Sequence, residues 1–135
     1  MLKTRKRLLI AVSVIAFMLL ALAIVFVNFI SLAKKGEEIL SNTTFSDITL
    51  SAIADGSYTG EFGAGPVYVK AQVTVKNGVM TEIMLLEHDN GKGSAAEGIV
   101  DKMLQSQTTN VDLVSGATYS SKVIRKAVEN ALLRQ

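Results

Sequence analysis

One long apolar run near the N-terminus constrains this chain more than any other feature. The run extends from Leu8 to Ile30 and is interrupted only by Ser13 and Asn28. About 23 residues at about 1.5 Å each make a helix of roughly 35 Å, enough to cross a hydrocarbon core of about 30 Å. The run therefore predicts a single transmembrane helix, with the rest of the chain attached to it.

The charges around the run predict its orientation. Positions 1–35 hold six of the 14 basic residues and none of the 12 acidic residues, and four of those six precede the run. Basic flanks stay in the cytoplasm, so we expect a single-pass protein of the cell membrane with its C-terminal domain on the extracytoplasmic side. Lys34 and Lys35 on the far side weaken this asymmetry.

A cleaved signal peptide is the competing interpretation of the same run. Ser31-Leu32-Ala33 has the small-x-Ala pattern of a cleavage site. The apolar run is longer than the 7–15 residues usual for the core of a signal peptide, which favours a retained anchor. Both interpretations place the following domain across the membrane.

The composition divides the chain into three parts. Residues 1–33 are the basic segment and the transmembrane helix, 34–51 are a polar tether with helical structure continuing from the membrane, and 52–135 are the folded domain. The chain beyond position 35 carries a net charge of −4, which gives no indication of nucleic-acid binding.

The domain begins with a strand pattern. A short strand is expected from Asp55 through Phe62, and a turn at Gly65-Pro66 leads to the next strand. Period-two alternation then predicts a half-buried strand across positions 67–76. Its inward residues are Val67, Val69, Ala71, Val73 and Val75.

Asn77-Gly78 predicts a hairpin, for which two registers are compatible with the sequence. A strict two-residue turn would place Val73 opposite Glu82. A three-residue loop with a left-handed Gly78 keeps the apolar residues on one face and is preferred. That loop predicts these pairs: Val75 with Val79, Ala71 with Ile83, and Val69 with Leu85.

Two helices complete the predicted domain. Ser94 to Glu97 fits a capping box before a helix through Leu104, and Ser120 or Ser121 is the predicted N-cap of the last helix. The apolar stripe of that last helix is Val123, Ile124, Ala127, Val128, Ala131 and Leu132. The predicted fold is α+β: a small twisted antiparallel sheet packed with two helices, preceded by a single transmembrane helix.

The segment before the last helix is the candidate site. Ser115 to Thr118 precede a helix N-terminus, where free amides and the helix dipole favour an anion such as phosphate. Gly116 permits a tight turn, Ala117 adds little bulk, and Thr118 offers a hydroxyl. The alternative from local pattern alone is a simple Ser/Thr-rich helix cap.

The side-chain inventory gives little support to catalysis without a cofactor. The chain has no cysteine and one histidine, so thiol chemistry and a multi-histidine metal site are excluded. We expect His88 to be an exposed residue of a polar loop running to Gly93. No catalytic residue and no metal ligand is predicted, and a bound cofactor fits this inventory better.

Asp112-x-x-Ser115-Gly116-Ala117-Thr118, followed by Ser120-Ser121, resembles the motif of the FMN-binding domain family. The resemblance covers roughly Asp55 to Leu132 and includes the opening Asp55-Gly56-x-Tyr58-x-Gly60. It implies that Thr118 accepts FMN through its phosphate from an FAD-dependent flavin transferase. It also implies an electron carrier between membrane redox partners and outer-side partners, rather than a stand-alone enzyme.

A mechanistic hypothesis gives roles to the residues around Thr118. Asp112 and Ser115-Gly116-Ala117 would hold the segment for the transferase, and the helix beginning near Ser120 would accommodate the phosphate charge. Tyr119, Tyr58 and Tyr68 are candidates for packing against the isoalloxazine. A reductase that binds FMN without a covalent bond, and a membrane-anchored interaction module without a cofactor, remain alternatives.

Overall fold

The computed structural model describes residues 1–89 and 94–134. Two short 3₁₀ helices, Leu50–Ala52 and Ser94–Gly98, accompany the main elements. These main elements are, in chain order, α1 (Leu2–Ser41), β1 (Gly56–Ala64), β2 (Val67–Lys76), β3 (Val79–Asp89), α2 (Ile99–Ser106) and α3 (Thr118–Leu133).

The predicted α+β architecture is confirmed. In the described part of the chain, three strands form an antiparallel sheet in the order β1-β2-β3. Helix α3 packs across β1 and β2, and α2 packs against β3. The sheet is therefore covered on one face, while the face that carries Tyr68 and Thr74 lies open.

The core lies between the sheet and α3, where the predicted periodicities meet. The five inward residues predicted for β2 are all buried, and the apolar stripe of α3 is fully buried. Ile99 and Met103 of α2 extend this core along β3. Burial of these branched and unbranched apolar side chains provides the main driving force for folding.

Gly60 allows α3 to lie unusually close to β1. A Cβ atom at this position would overlap the Ala127 carbonyl and would lie 2.7 Å from the Cα of Ala131. The opening segment also ties the sheet together, since the amide of Asn77 donates to Asp55 Oδ1 at 2.7 Å. The opening Asp-Gly-x-Tyr-x-Gly sequence therefore has a packing role in this domain.

The preferred hairpin register is wrong. Asn77 and Gly78 both have positive φ, at 52° and 73°, and form a two-residue turn with Lys76 opposite Val79. Val75 pairs with Met80 rather than with the predicted Val79. The left-handed conformation predicted for Gly78 is confirmed.

Two bulges, rather than the turn, keep the apolar residues of β3 on one face. Thr81 and Leu86 of β3 are extra residues at the two register shifts. Each bulge moves the pairing of β3 with β2 by one residue from that of a regular two-residue hairpin. The resulting pairs are Val73 with Ile83, Ala71 with Leu85, and Val69 with His88. The strict two-residue register, with Val73 opposite Glu82, is also wrong for this reason.

Two predicted helix starts are wrong. The N-cap of α3 is Ala117, which makes no side-chain capping bond, whereas Ser120 and Ser121 lie inside the helix and are buried. Helical structure does begin at Ser94, but as a 3₁₀ helix, and the N-cap of α2 is Gly98. Glu97 bonds to His88 instead of closing a capping box.

His88 differs from its prediction as well. It belongs to β3, and its side chain is only 5% exposed. Its Nδ1 atom lies 2.8 Å from Glu97 Oε1. The bulge at Leu86 turns His88 toward the covered side of the sheet, which local polarity does not reveal. The predicted loop at residues 90–93 lies outside the described residues.

Helix α1 is long and apolar enough to span a membrane, and its most apolar stretch is not buried in the protein. The helix continues beyond the apolar run to Ser41, so the helical structure predicted at the start of the tether is present. Its last turns contact the domain, and Gly36 and Leu40 are buried there.

Candidate functional site

The acceptor segment is a tight turn that leads directly into α3. The amide of Ala117 donates to the carbonyl of Val114 at 3.0 Å, which closes a four-residue turn. Gly116 has a φ of 77°, a left-handed conformation in which a residue with a side chain would be strained. The space around Gly116 is open, so a ligand can approach its backbone.

A buried serine holds this turn to the helix. Ser121 Oγ accepts a hydrogen bond from the amide of Val114 at 3.2 Å, and the amide of Ser121 donates to the Ala117 carbonyl at 2.9 Å. Ser120 is also buried, at 4% exposed. Ser121 therefore supports the turn, and the predicted site residue Ser120 is buried in the domain.

Thr118 is the first residue of α3 and is exposed. The first intrahelical bond is made by the amide of Ser121, so the amides of Thr118, Tyr119 and Ser120 have no partner within the helix. Alanine is a poor N-cap because it has no oxygen to accept from these amides. The end of α3 thus combines an accessible hydroxyl with free donors for an anion.

A cleft of about 350 Å³ opens beside Thr118. It lies between the last turns of α1 and the first turns of α3, and it falls within the range of about 300–1,000 Å³ typical of small-molecule sites. Its lining residues are Glu37, Leu40, Ser41, Thr118, Tyr119 and Lys122. Two predicted site residues, Thr118 and Tyr119, therefore share one cleft.

Lys122 adds positive charge to this cleft. It stands four residues after Thr118 on α3, so both side chains lie on the same side of the helix. An ammonium group close to a helix N-terminus reinforces the attraction of that end for an anion. The Thr118 hydroxyl, the free amides and Lys122 together suit a phosphate group.

Tyr119 forms part of the wall of the cleft and ties it to the sheet. Its hydroxyl donates to the carbonyl of Ala64 at 2.9 Å, at the end of β1. Burial raises the pKa of this hydroxyl, and the nearby Glu37 carboxylate raises the pKa further. The phenol is consequently neutral and fixed at neutral pH, with its ring available to an apolar ligand.

Asp112 lies on the other side of the acceptor turn. It is exposed and lines a separate cleft of about 320 Å³, with Lys102, Gln105, Ser106, Asn110 and Val111. Lys102 Nζ donates to the backbone carbonyl of Asp112 at 3.2 Å. The structure thus places the predicted residues Asp112 and Thr118 in two separate clefts, while Ser115 and Gly116 are exposed and line neither.

The two other candidate tyrosines do not line the Thr118 cleft. Tyr58 packs against the core and its hydroxyl donates to the carbonyl of Ala54 at 2.8 Å. Tyr68 stands on the open face of the sheet and donates to Glu61 Oε2 at 2.9 Å. That hydrogen bond raises the pKa of Tyr68.

Sequence reasoning missed the contributions of Glu37, Leu40, Ser41 and Lys122 to the cleft. A signal for the α1 residues was present, because Leu32, Gly36 and Leu40 recur every four residues beyond the apolar run. Such a stripe predicts a helix face that packs against a partner. Lys122 could have been found from its four-residue spacing to Thr118.

The fold and this site define a small α+β domain with a cleft beside an uncapped helix N-terminus, joined to a helix long enough to span a membrane. The model of the FMN-binding domain family matches residues 64–133, more than half of the chain. The chain belongs to the FMN-binding domain family, which supports FMN as its cofactor. Comparison with curated proteins found no match.

The residues at the cleft fit FMN. Free amides and Lys122 suit its phosphate, and Leu40 and Tyr119 offer apolar surface for a flat ring system. The family match covers the second and third strands, both domain helices and the acceptor turn.

Proposed function

We propose that this protein is a membrane-anchored flavoprotein that carries FMN covalently on Thr118 and transfers electrons between the membrane and redox partners on its outer side. The observation that carries the proposal is the position of Thr118, exposed at the uncapped end of α3 and open to a cleft of about 350 Å³. Membership of the FMN-binding domain family supports the cofactor.

Attachment would use FAD as the donor and a flavin transferase as the catalyst. Thr118 Oγ1 would lose its proton and bond to the phosphorus of the FMN half, while the bond to the AMP half breaks and AMP leaves. The exposed turn at Ser115-Gly116 allows the transferase to reach this hydroxyl. Asp112, two residues before the turn, is accessible for recognition by the transferase.

After attachment, the phosphoester keeps one negative charge beside the end of α3. The amides of the first turn and Lys122 would stabilise this charge, while Tyr119 and Leu40 would contact the ring system. When bound, FMN supplies one- and two-electron transfer, and the protein provides position and surroundings. A covalent bond also prevents loss of the cofactor by dilution outside the cytoplasm.

Intact mass spectrometry of the full chain tests this proposal. The chain is co-expressed with an FAD-dependent flavin transferase as wild type, Thr118→Ala and Thr59→Ala. We expect one FMN phosphoester on wild type and on Thr59→Ala, whose exposed threonine is the matched control, and none on Thr118→Ala. The same spectrum shows whether the segment before Ser31-Leu32-Ala33 is retained.

Other results would select the alternatives. A flavin that is lost on denaturation, with no added mass, indicates a domain that binds FMN reversibly. A colourless wild-type protein indicates an interaction module without a cofactor. FMN that remains covalently bound in Thr118→Ala would place the ester on another residue and overturn the assignment.

Single cysteines test the orientation, because the natural chain has none. Thr4→Cys and Ser51→Cys place a thiol at exposed positions on either side of the apolar run. In intact cells, a membrane-impermeant maleimide should label Ser51→Cys, and should label Thr4→Cys only after lysis. The opposite pattern would overturn the extracytoplasmic location of the domain.

A further inference from the structure

The last turns of α1 are docked on the domain through one face. The carbonyl of Leu32 and the residues Gly36 and Leu40 recur every four positions along that face. Gly36 is buried and Leu40 is only 7% exposed, in contrast to the exposed apolar residues of the preceding run. The helix therefore ends against the domain rather than in solvent.

The contact at Gly36 is made between two backbones. A Cβ atom at Gly36 would lie 2.6 Å from the amide nitrogen of Gly65 and would overlap the Tyr119 hydroxyl. A Cβ atom at Gly65 would lie 2.6 Å from the carbonyl oxygen of Leu32. Only glycine fits at both positions, so we call this contact of Leu32, Gly36, Gly65 and Tyr119 the glycine clasp.

A second attachment follows directly in the chain. Lys126 Nζ donates to the carbonyl of Thr44 at 2.7 Å, and the amide of Ser46 donates to Glu129 Oε2 at 3.2 Å. Between them, the ring of Phe45 lies 4.7 Å from the Arg125 guanidinium carbon. The connector after α1 (residues 42–46) is thus bound along α3, which restricts movement of the domain relative to α1.

We propose that the end of α1 is a second wall of the flavin site, in which Glu37, Leu40 and Ser41 face the cofactor and the glycine clasp sets their position. This inference rests on the proposed attachment of FMN to Thr118. All three residues line the Thr118 cleft, and they face Tyr119 and Lys122 of α3 across it. The membrane anchor is then part of the cofactor site.

The clasp also sets the height of the cofactor above the bilayer. Glu37 follows Ile30 by seven residues, or roughly 10 Å along the helix at about 1.5 Å per residue. The headgroup layer accounts for roughly 5–8 Å on each side of the hydrocarbon core. The cleft is therefore held next to the membrane surface, where its redox partner must also present its own site.

Cysteine footprinting of the full chain tests contact between the cofactor and α1. Ser41→Cys lies in the cleft, whereas Ile39→Cys is exposed and outside its lining. We expect attached FMN to slow maleimide labelling of Ser41→Cys severalfold and to leave Ile39→Cys unchanged. Equal labelling of Ser41→Cys with and without FMN would overturn the second wall.

The flavin midpoint potential tests whether Glu37 faces the cofactor, because a residue with a purely structural role would not change it. Glu37 lines the cleft, and its neighbour Glu38 does not. A carboxylate near the ring opposes the gain of electrons, so Glu37→Gln should shift the flavin midpoint potential to a more positive value. Glu38→Gln should leave the potential unchanged, and identical potentials in both variants would contradict the proposed contact.

The clasp can be tested without a cofactor. In the otherwise wild-type chain, maleimide should react slowly with Leu40→Cys. Adding Gly36→Leu forces the helix away from Gly65, so the reaction at Leu40→Cys should become severalfold faster. Gly98→Leu is the control, because an added Cβ atom there contacts nothing within 4 Å. Rapid labelling of Leu40→Cys in the wild-type background would show that α1 is not docked.

These tests separate the two proposals. If wild type gains no FMN mass, covalent attachment and the second wall both fail, while slow labelling of Leu40→Cys still establishes the clasp. If FMN attaches and Ser41→Cys stays unprotected, attachment to Thr118 stands and only the second wall is overturned.

Discussion

The two ends of α3 differ in burial and in hydrogen bonding. Its later turns bury an apolar stripe and the fully buried Glu129, which bonds to Arg125, Lys126 and the amide of Ser46. Its first turn has an alanine at the N-cap, free amides and the exposed Thr118. A missing cap costs about 1 kcal/mol, which the packing of the later turns offsets.

This difference shows how one helix separates stability from chemistry. The buried turns position the helix against β1 and the connector, and the first turn can then keep donors open for a ligand. Variants of the later turns should therefore alter unfolding more than cofactor attachment, whereas variants of the first turn should do the reverse. Four substitutions test this separation, beginning with the largest expected loss of stability.

Glu129→Ala should have the largest effect. It leaves Arg125 and Lys126, whose side chains are 14% and 15% exposed, without their buried partner, and it releases Ser46. Breaking a buried ion pair costs about 3–5 kcal/mol. Urea unfolding of the full chain in detergent, followed by circular dichroism, measures the loss. The exposed Glu82→Ala should change stability by less than about 0.5 kcal/mol. A similar small change in Glu129→Ala would contradict the role of this cluster.

Gly60→Ala should have the next largest effect. The added methyl group overlaps the backbone of α3 at Ala127 and Ala131, so the helix must move from β1. Overpacking of this kind costs about 1–3 kcal/mol. Gly98→Ala is the control in open space, and the free energies of unfolding of the two variants should differ by that amount. Equal stabilities would show that α3 and β1 separate easily.

Ser121→Ala tests the connection between the two ends. It removes the acceptor of the Val114 amide, at a cost of about 1 kcal/mol. The acceptor turn loses its support, so FMN attachment during co-expression should be slower although Thr118 is intact. A time course of intact mass measures this rate. An unchanged rate would show that the turn holds its shape without Ser121.

The smallest effect concerns pH. The pKa of Tyr119 is raised by burial and by Glu37, so the folded state favours the protonated phenol, in a cleft that also contains Lys122. Its contribution to stability is present below the ordinary pKa of about 10 and is lost as the pH rises through the folded value.

Tyr119→Phe should therefore reduce the alkaline loss of stability, seen as a smaller fall in melting temperature between about pH 9 and pH 11. The alkaline change in the melting temperature of Tyr119→Phe is compared with that of Tyr68→Phe. The pKa of Tyr68 is also raised, but Tyr68 lies on the open face of the sheet and bonds to Glu61. If the melting temperature of Tyr119→Phe falls as much at alkaline pH as that of wild type, ionisation of the Tyr119 hydroxyl does not weaken the glycine clasp.

The sequence by itself determined the features that depend on local pattern. The apolar run predicted a helix able to span a membrane, alternation predicted the buried face of β2, and the stripe of α3 was entirely correct. These patterns repeat with the period of their own element, so neighbouring residues are sufficient to detect them. The acceptor motif also led to the family that the chain belongs to.

The tertiary structure decided the features that the period of a single element does not specify. The bulge at Leu86 turned His88 inward, and Ala117 rather than Ser120 or Ser121 is the N-cap of α3. The docking of Gly36 on Gly65 joined the anchor helix to the Thr118 cleft. The contact between Gly36 and Gly65 joins backbones that are far apart in the chain. The bulges and the N-cap depend on strand pairing and packing that the period of a single element does not specify.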